Sequence, residues 1–327
     1  MKDYKFFRNN LLLLLVILGF GPSMLNAQDI AVTRNTFLMG SQFQITIVAQ
    51  DSITANHFID LTIEEMERIE NLISEWRPHT QVSEINRLAG IKPVKVDKEL
   101  LELTQRALYY SSMTEGAFDI SIAALDKVWK FDGSMTHKPS ETTVRESIKN
   151  VGYENIILDT THSTIFLSQK GMKIGFGSIG KGYAADRGRA LMKSLGVKGG
   201  VVNASGDLTT WGSQPLGKTW KIGIKNPFRK HRIAKVLKLK ESAVATSGSY
   251  EKYAEIDGIR YSHIINPKTG YPSTGLTSVT IWGPSAEFAN FLSTSIMVLG
   301  TKQGIALAKK FPEYSFFLIT DNGRIIK

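Results

Sequence analysis

Residues 175–186, with the sequence GFGSIGKGYAAD, constrain this chain more than any other segment. They place four glycines, a lysine and an aspartate at the step from a predicted strand to a predicted helix. Glycines at such a step let the backbone approach a ligand, and the first N–H groups of the helix point towards it with the positive end of the helix dipole. The segment therefore predicts an anion site, with a turn that only packs the helix on the strand as the alternative.

Two nucleotide-binding motifs match this segment in part. Gly175, Gly177 and Gly180 follow the spacing of a dinucleotide fingerprint. That fingerprint also needs an acidic residue about 20 residues further on, and residues 195–200 contain none. The P-loop pattern breaks at Gly182, which replaces the Ser or Thr that binds magnesium. We therefore expect neither a Rossmann fold nor a P-loop.

The N-terminus has the three parts of a secretory signal. Residues 1–10 carry three basic residues against one acidic residue, an apolar run fills 11–20, and small or polar residues follow up to Ala27. Ten apolar residues span about 15 Å as a helix, half of a hydrocarbon core, so a permanent anchor is the weaker interpretation. We expect a signal peptide at 1–27, no other membrane-spanning segment, and export to the periplasm or the outer face of the inner membrane.

The mature chain contains no cysteine, so it forms no disulfides and carries no lipid on an N-terminal cysteine. Residues 28–327 are enough for one large domain or two tightly joined lobes. The formal charge of +10 falls to +8 without the signal. Export and the scatter of basic residues argue against nucleic acid. The basic segment 225–240 predicts a solvated hairpin, with a contact to an acidic partner or an anionic membrane surface as the alternative.

Short strands and amphipathic helices alternate irregularly along the chain. Apolar spacing predicts helices at 52–75, 100–114, 142–149, 183–195, 286–299 and 302–311. Strands are predicted at 43–48, 156–158, 164–167, 173–175, 200–203, 220–225, 234–239, 243–246, 260–265, 278–282 and 315–320. Hairpins interleaved with helices indicate an α+β fold with mixed, mostly antiparallel sheets, since a doubly wound sheet needs a regular βαβ series.

Eight short motifs follow one another along nearly the whole mature chain. They lie at residues 39–41, 74–86, 116–119, 180–186, 203–207, 246–250, 263–270 and 293–300. Each is weak alone, but in this order they resemble the ApbE family, the FAD:protein FMN transferases. The resemblance implies transfer of FMN from FAD to a threonine or serine hydroxyl of an exported or membrane-associated partner protein. AMP would leave, and a divalent metal, Mg²⁺, would assist.

The resemblance also implies a flavin site. An aromatic residue at the position of Trp76 stacks on the isoalloxazine in the family, and an indole suits a large flat π-system. A core position is the alternative for Trp76 and Met39, and a helix cap is the alternative for Asp119. Ile265 is expected to act through its backbone. The other implied FAD contacts are Met39, Ala117, Phe118, Asp119, Gly175 and Lys181.

His263 is the implied catalytic base, together with Lys181 at the phosphates. Imidazole titrates near working pH, and the turn at 264–270 would set His263 at the mouth of a site, although a lone histidine is also often structural. The resemblance implies that His263 deprotonates the acceptor hydroxyl, which attacks the FMN phosphorus in line. Lys181, backbone N–H groups and a metal would share the pyrophosphate charge.

The metal-binding positions depart from the family pattern. Relatives usually place an Asp four residues before a helical Thr, whereas this chain has Asn290 and Thr294, with Ser293 beside them. Asn keeps an amide oxygen but no charge, and Mg²⁺ sites usually rely on carboxylates. Ser178 is the implied contact of the glycine turn with the metal, and Gly175 stands where some relatives have an Asp near FAD.

With two acids missing, the alternative function is an FAD-binding protein or an FAD pyrophosphatase with a weakened metal site. A structural envelope protein that docks through its basic segment is a third class.

Overall fold

The computed structural model describes residues 28–229, 231–250 and 252–327. The predicted signal peptide at 1–27 lies outside the described residues. An eight-stranded sheet organises the chain, and every neighbouring pair in it is antiparallel. In spatial order its strands are β1 (Ile30–Leu38), β2 (Ser41–Ala49), β6 (Gly199–Ala204), β7 (Asp207–Trp211), β10 (Ser242–Gly248), β13 (Leu276–Gly283), β14 (Ser315–Thr320) and β15 (Ile325–Ile326).

Three smaller antiparallel sheets accompany the large one. They pair β3 (Val94–Lys95), β5 (Thr164–Leu167) and β4 (Ile156–Asp159); β8 (Trp220–Lys225) and β9 (Ile233–Leu239); and β11 (Tyr253–Ile256) and β12 (Ile259–Ser262). The described part of the chain forms six α-helices. These are α1 (Ser52–Ile73), α2 (Gln81–Arg87), α3 (Lys98–Met113), α4 (Glu141–Ser147), α5 (Gly180–Ser194) and α6 (Ala286–Ala308). The fold is α+β with antiparallel sheets, as predicted.

The two faces of the large sheet bury different layers because side chains alternate along each strand. Phe43, Ile45 and Ile47 of β2 are fully buried in the main core, which the sheet forms with α1, α5 and α6. Val48 points to the opposite face, where it packs in a second core with residues of the hairpin β8–β9. The sheet is therefore the middle of three layers.

The basic segment forms the predicted hairpin, but only one of its faces is solvated. Trp220, Ile224 and Leu237 are buried against the second face of the large sheet, while Lys221 and Lys238 are exposed. The apolar residues alternate with the lysines, so the same strand covers the sheet and presents charge outwards.

Two predicted elements around the glycine segment are wrong in detail. Residues 173–175 form no strand, because the side chain of Asn86 bonds both backbone groups of Ile174 in place of a neighbouring strand. Asn86 Nδ2 donates to the Ile174 oxygen at 3.0 Å, and the Ile174 N–H donates to Asn86 Oδ1 at 2.8 Å. Helix α5 begins at Gly180, earlier than the predicted residue 183, so part of the glycine turn is its first turn.

Helix α6 joins two predicted helices across a kink. Gly300 has a φ of 71° and a ψ of −177°, which interrupts the helical path near the predicted boundary. By length and composition α6 is apolar enough to cross a membrane, so the expectation that no segment after the signal is apolar enough is wrong. Half of its most apolar window is buried within the protein, and the helix packs on β10 and β13. The part of α6 that is buried in the core accounts for its apolar composition.

Candidate functional site

The loop between α1 and α2 presents Trp76 to solvent. Ser74 Oγ accepts hydrogen bonds from the N–H groups of Trp76 and Arg77, both at 3.3 Å, and Thr80 Oγ1 donates to the Ser74 carbonyl at 2.6 Å. Ser83 Oγ donates to two further carbonyls of the loop. The backbone is thus braced while the indole is 77% exposed, which excludes the core position for Trp76.

Two cavities flank Trp76. The first, of about 430 Å³, extends from the indole to the glycine turn, and its lining includes Met39, Gly177, Gly180 and Lys181. The second, of about 720 Å³, lies on the other side and includes Asn86, Ala123, Lys127 and Lys173. Glu75 and Trp76 line both cavities. Volumes of this size are typical of small-molecule sites, and an exposed indole between two cavities suits a ligand with two ring systems.

Met39 occupies the tight turn between β1 and β2, at the edge of the first cavity. Its φ is 49° and that of Gly40 is 68°, so both residues have the left-handed backbone of a type I′ turn. A left-handed backbone is unfavourable for Met, and its N–H is held by Glu70 Oε2 at 3.1 Å. Glu70 in turn forms an ion pair with Arg77 at 3.0 Å. The side chain packs partly on the core and partly lines the cavity, so the core alternative holds in part and the contact of Met39 with FAD stays a prediction.

The glycines of the opening segment serve different purposes. A Cβ on Gly177 would meet nothing within 4 Å, so this exposed residue leaves its backbone accessible from the first cavity. A Cβ on Gly182 would lie 2.4 Å from the Ala286 carbonyl, so this glycine lets α5 and α6 pack closely. The glycine that breaks the P-loop pattern is therefore a packing residue. Lys181 is half-buried in the first turn of α5 and faces the cavity.

Asn290 of α6 brings three polar groups together at the end of the glycine turn. One terminal atom of its buried amide lies 2.8 Å from the Ser178 carbonyl oxygen and 3.2 Å from Asp207 Oδ2. The surrounding groups favour the amide nitrogen in this place, where it donates to both oxygens. To bind a cation here the amide would have to turn its oxygen towards these two groups, so that three oxygens face the ion. The structure thus places the predicted residues Ser178 and Asn290 side by side, with the Asp207 carboxylate next to them.

The hydroxyl groups of Ser293 and Thr294, near Asn290, differ in how accessible they are to a ligand. Ser293 is fully buried, its Oγ donates to the Asn290 carbonyl at 3.0 Å, and it lies 2.8 Å from Ser247 Oγ. Thr294 is half-buried, one helical turn after Asn290, with its Oγ1 3.3 Å from Ser247 Oγ. Thr294 is therefore better placed than Ser293 to contact a metal.

The groups at this corner that could bind a metal all have oxygen donors. Within the described ranges, no group of three or more His, Cys, Asp or Glu side chains is placed to hold a metal ion. A metal here would rely on mixed oxygen ligands, which suit a hard cation such as Mg²⁺. The candidate donors are the Ser178 carbonyl, the Asp207 carboxylate and the Asn290 amide, which lie together, and the Thr294 hydroxyl, which is one helical turn after Asn290.

Asp119 caps a short 3₁₀ helix, Ile120–Ala124, as the helix-cap alternative predicted. Its Oδ1 accepts from the N–H and the Oγ of Ser121 at 2.7 and 2.6 Å, and its Oδ2 accepts from the Tyr153 N–H at 2.9 Å. Burial raises the pKa of the Asp119 carboxyl, and these hydrogen bonds oppose the rise. The carboxylate therefore shapes the loop, and its contact with FAD stays a prediction.

The neighbours of Asp119 point into the core. Phe118 is 1% exposed and packs edge-on against Tyr110 and Phe291. Ala117 is also buried. If these two residues contact FAD as predicted, they do so mainly through their backbone atoms.

His263 is exposed just beyond the end of β12. Its Nδ1 lies 3.0 Å from the Lys252 carbonyl oxygen, which can only accept a hydrogen bond. Nδ1 therefore carries the proton of the neutral imidazole, and the basic lone pair is on Nε2. Ile265 is buried and bridges to Pro272. Neither residue lines the two cavities beside Trp76, so their place against FAD stays a prediction.

Two acidic residues of this site were missed from the sequence. Asp207 closes the motif at 203–207, and its position at the start of a strand was the only signal. Glu75 immediately precedes Trp76, so it was part of a motif without a role of its own.

Comparisons with known proteins identify similar sequences. The model described as "ApbE family" matches residues 39–318. A protein of Klebsiella pneumoniae named FAD:protein FMN transferase is 32% identical over 291 residues, which cover 88% of this chain and 89% of the relative. One of the same name from Treponema pallidum is 28% identical, covering 96% and 91%.

Solved structures share the fold. The ApbE protein of Thermotoga maritima has a TM-score of 0.82 and 33% sequence identity, covering 91% of this chain and 96% of its own. The flavinyl transferase ApbE of Pseudomonas stutzeri has a TM-score of 0.80 and 28% identity, covering 91% and 94%.

Proposed function

This chain belongs to the ApbE family and is a flavin transferase, and we propose that it moves FMN from FAD to a threonine or serine hydroxyl of an exported acceptor protein. One observation carries the proposal. An exposed indole on a braced loop stands over a cavity that ends at the glycine turn and Lys181. The cavity thus offers an aromatic surface at one end and phosphate-binding groups at the other.

The residues that line the first cavity bind different parts of FAD. Trp76 stacks on a ring system of FAD, while the exposed backbone at Gly177 and the first N–H groups of α5 face the pyrophosphate. Lys181 adds a positive charge to the same end of the cavity. Met39 closes the cavity from the β1–β2 turn.

The transfer step exchanges one phosphoester partner for another. Nε2 of His263 accepts the proton of the acceptor hydroxyl, whose oxygen forms a bond to the FMN phosphorus. The bond from that phosphorus to the bridging oxygen breaks, and AMP leaves with the oxygen. A divalent metal, when bound, neutralises charge on the phosphate oxygens. Ser178, Asp207, Asn290 and Thr294 are the residues that would hold it.

The acceptor is proposed to lie outside the cytoplasm, since the chain begins with a predicted signal peptide. The exposed lysines of the hairpin β8–β9 suit an acidic region of that acceptor or an anionic membrane surface.

The proposal is tested on an envelope extract from cells that lack this protein. Adding the purified protein, FAD and Mg²⁺ should give a fluorescent band on a denaturing gel, and its digest should contain a threonine or serine peptide heavier by one FMN. Omitting the protein is the control. If no band appears with any divalent metal while FAD binds, the transferase proposal is wrong.

Replacing Trp76 tests the aromatic contact. Stacking on an aromatic side chain contributes about 1–3 kcal/mol per base, so we expect Trp76→Ala to weaken FAD binding roughly tenfold to hundredfold. Trp76→Phe should keep most of the affinity because it retains a ring on the same braced loop. Flavin fluorescence titration measures both, and an unchanged dissociation constant for Trp76→Ala would contradict the stacking role.

A further inference from the structure

We propose that Glu75 is an FAD-binding residue whose carboxylate accepts a hydrogen bond from an N–H or O–H group of the bound dinucleotide. The inference rests on the proposed function and deepens it, since it assigns a contact in the same site. It also explains why position 175 is a glycine.

Glu75 and Gly175 share one space. A Cβ built on Gly175 would lie 1.7 Å from Glu75 Oε2 and 2.6 Å from its Cδ. A side chain at position 175 would have to displace this carboxylate, so the glycine leaves the space, or notch, that the carboxylate fills. The backbone at the notch is fixed, because the Gly175 N–H donates to the Ile120 carbonyl at 3.0 Å and Asn86 holds Ile174.

The described residues donate no hydrogen bond to the buried oxygen of this carboxylate. Its Oε2 is buried and has no hydrogen-bond partner among the described residues. Burial raises the pKa of the Glu75 carboxyl, and the positive charges of Lys173 and Lys127 oppose this rise with a smaller effect. Neither lysine forms an ion pair with it in the described part of the chain. Burying a carboxylate oxygen without a hydrogen bond is unfavourable, so this arrangement does not by itself stabilise the protein.

The position of Glu75 points to a ligand as the missing partner. Glu75 lines both cavities, so its carboxyl group is within reach of a ligand bound in either of them. Trp76 is the next residue, so the carboxylate lies beside the surface on which a ring system would stack. FAD has N–H and O–H donors on its rings and sugar chains, and a donor that reaches the Glu75 carboxylate would supply the hydrogen bond that it lacks. The carboxylate that the sequence lacks at position 175 is thus supplied from position 75.

Exchanging the two positions tests this assignment. We expect Glu75→Ala to weaken FAD binding about 10- to 100-fold, as for loss of a hydrogen bond to a charged group. Gly175→Asp alone should also bind poorly, because its side chain meets Glu75. The double variant Glu75→Ala with Gly175→Asp should recover most of the affinity, since a carboxylate again occupies the notch. Gly175 has no left-handed φ, so its backbone accepts Asp, with a small shift at Ala123.

Glu67→Ala is the matched control, because Glu67 is exposed on α1 and its removal changes the charge equally. Affinities are measured by flavin fluorescence without acceptor, so failure of FMN transfer does not affect the result. If Glu75→Ala does not fold, the isosteric Glu75→Gln replaces it and should still bind FAD more weakly. FAD affinity of Glu75→Ala equal to that of Glu67→Ala, or a double variant no tighter than Glu75→Ala, would overturn the proposal.

Discussion

His263→Ala should lower the rate of FMN transfer about 100- to 10,000-fold, the usual contribution of a general base, while FAD binding stays nearly unchanged. The separation follows from the structure, because His263 does not line the cavities beside Trp76. Its Nδ1 is committed to the Lys252 carbonyl, so Nε2 is the nitrogen that takes the acceptor proton. Single-turnover labelling of the acceptor measures the rate, and fluorescence titration measures the affinity.

Two controls make this prediction specific. His57→Ala removes an exposed histidine on α1 and should leave the rate unchanged. Imidazole added to His263→Ala should restore part of the rate, because a base from solution can then take the proton. A structural role for His263 would show no such rescue. A transfer rate for His263→Ala within about threefold of the wild type would contradict the base assignment.

The second prediction with a large effect concerns the number of carboxylates in the cluster around Asn290. We expect Asp207→Asn to raise the Mg²⁺ concentration needed for half-maximal transfer about 10- to 100-fold, by analogy with the loss of a group that supports a metal site. Asn290→Asp should lower that concentration, because it adds a carboxylate to the same oxygen cluster. The double variant should return close to the wild type, since the number of carboxylates is then unchanged.

These substitutions preserve side-chain shape, so activity is compared between proteins of similar packing. Asn322→Asp adds the same charge at an exposed position far along the chain and should not change the Mg²⁺ requirement. If Asn290→Asp and Asp207→Asn both leave the Mg²⁺ titration unchanged, the metal is held elsewhere.

The sequence predicted elements where the apolar spacing is regular. Strand β8 was placed at its observed limits, and α1 and α3 were placed within two residues at either end. Strand β1 was missed because it is an edge strand with polar residues on its exposed side, such as Thr33 and Asn35. Residues 173–175 were assigned to a strand because Ile174 is apolar and buried, yet its backbone bonds to the side chain of Asn86, 88 residues earlier.

The same limit applies to the site. Trp76, Lys181, Ser178 and Asn290 were placed by motifs, but their motifs contain no information on which acid lies beside them. Glu75 meets Gly175 across 100 residues, and Asp207 meets Asn290 across 83. Both contacts depend on how α1, α5, α6 and β7 pack together, which sequence spacing does not reveal. Each of the two positions where an acid appeared to be missing thus has an acid from another segment beside it.

The ratio of released AMP to protein-bound FMN tests the central claim most directly. The purified protein is incubated with FAD, Mg²⁺ and the envelope extract, and AMP, free FMN and covalently bound FMN are each quantified by mass spectrometry. We predict one AMP for each FMN attached to a threonine or serine, with little free FMN. AMP accompanied by an equal amount of free FMN, and no FMN on protein, would instead identify an FAD pyrophosphatase and contradict the account.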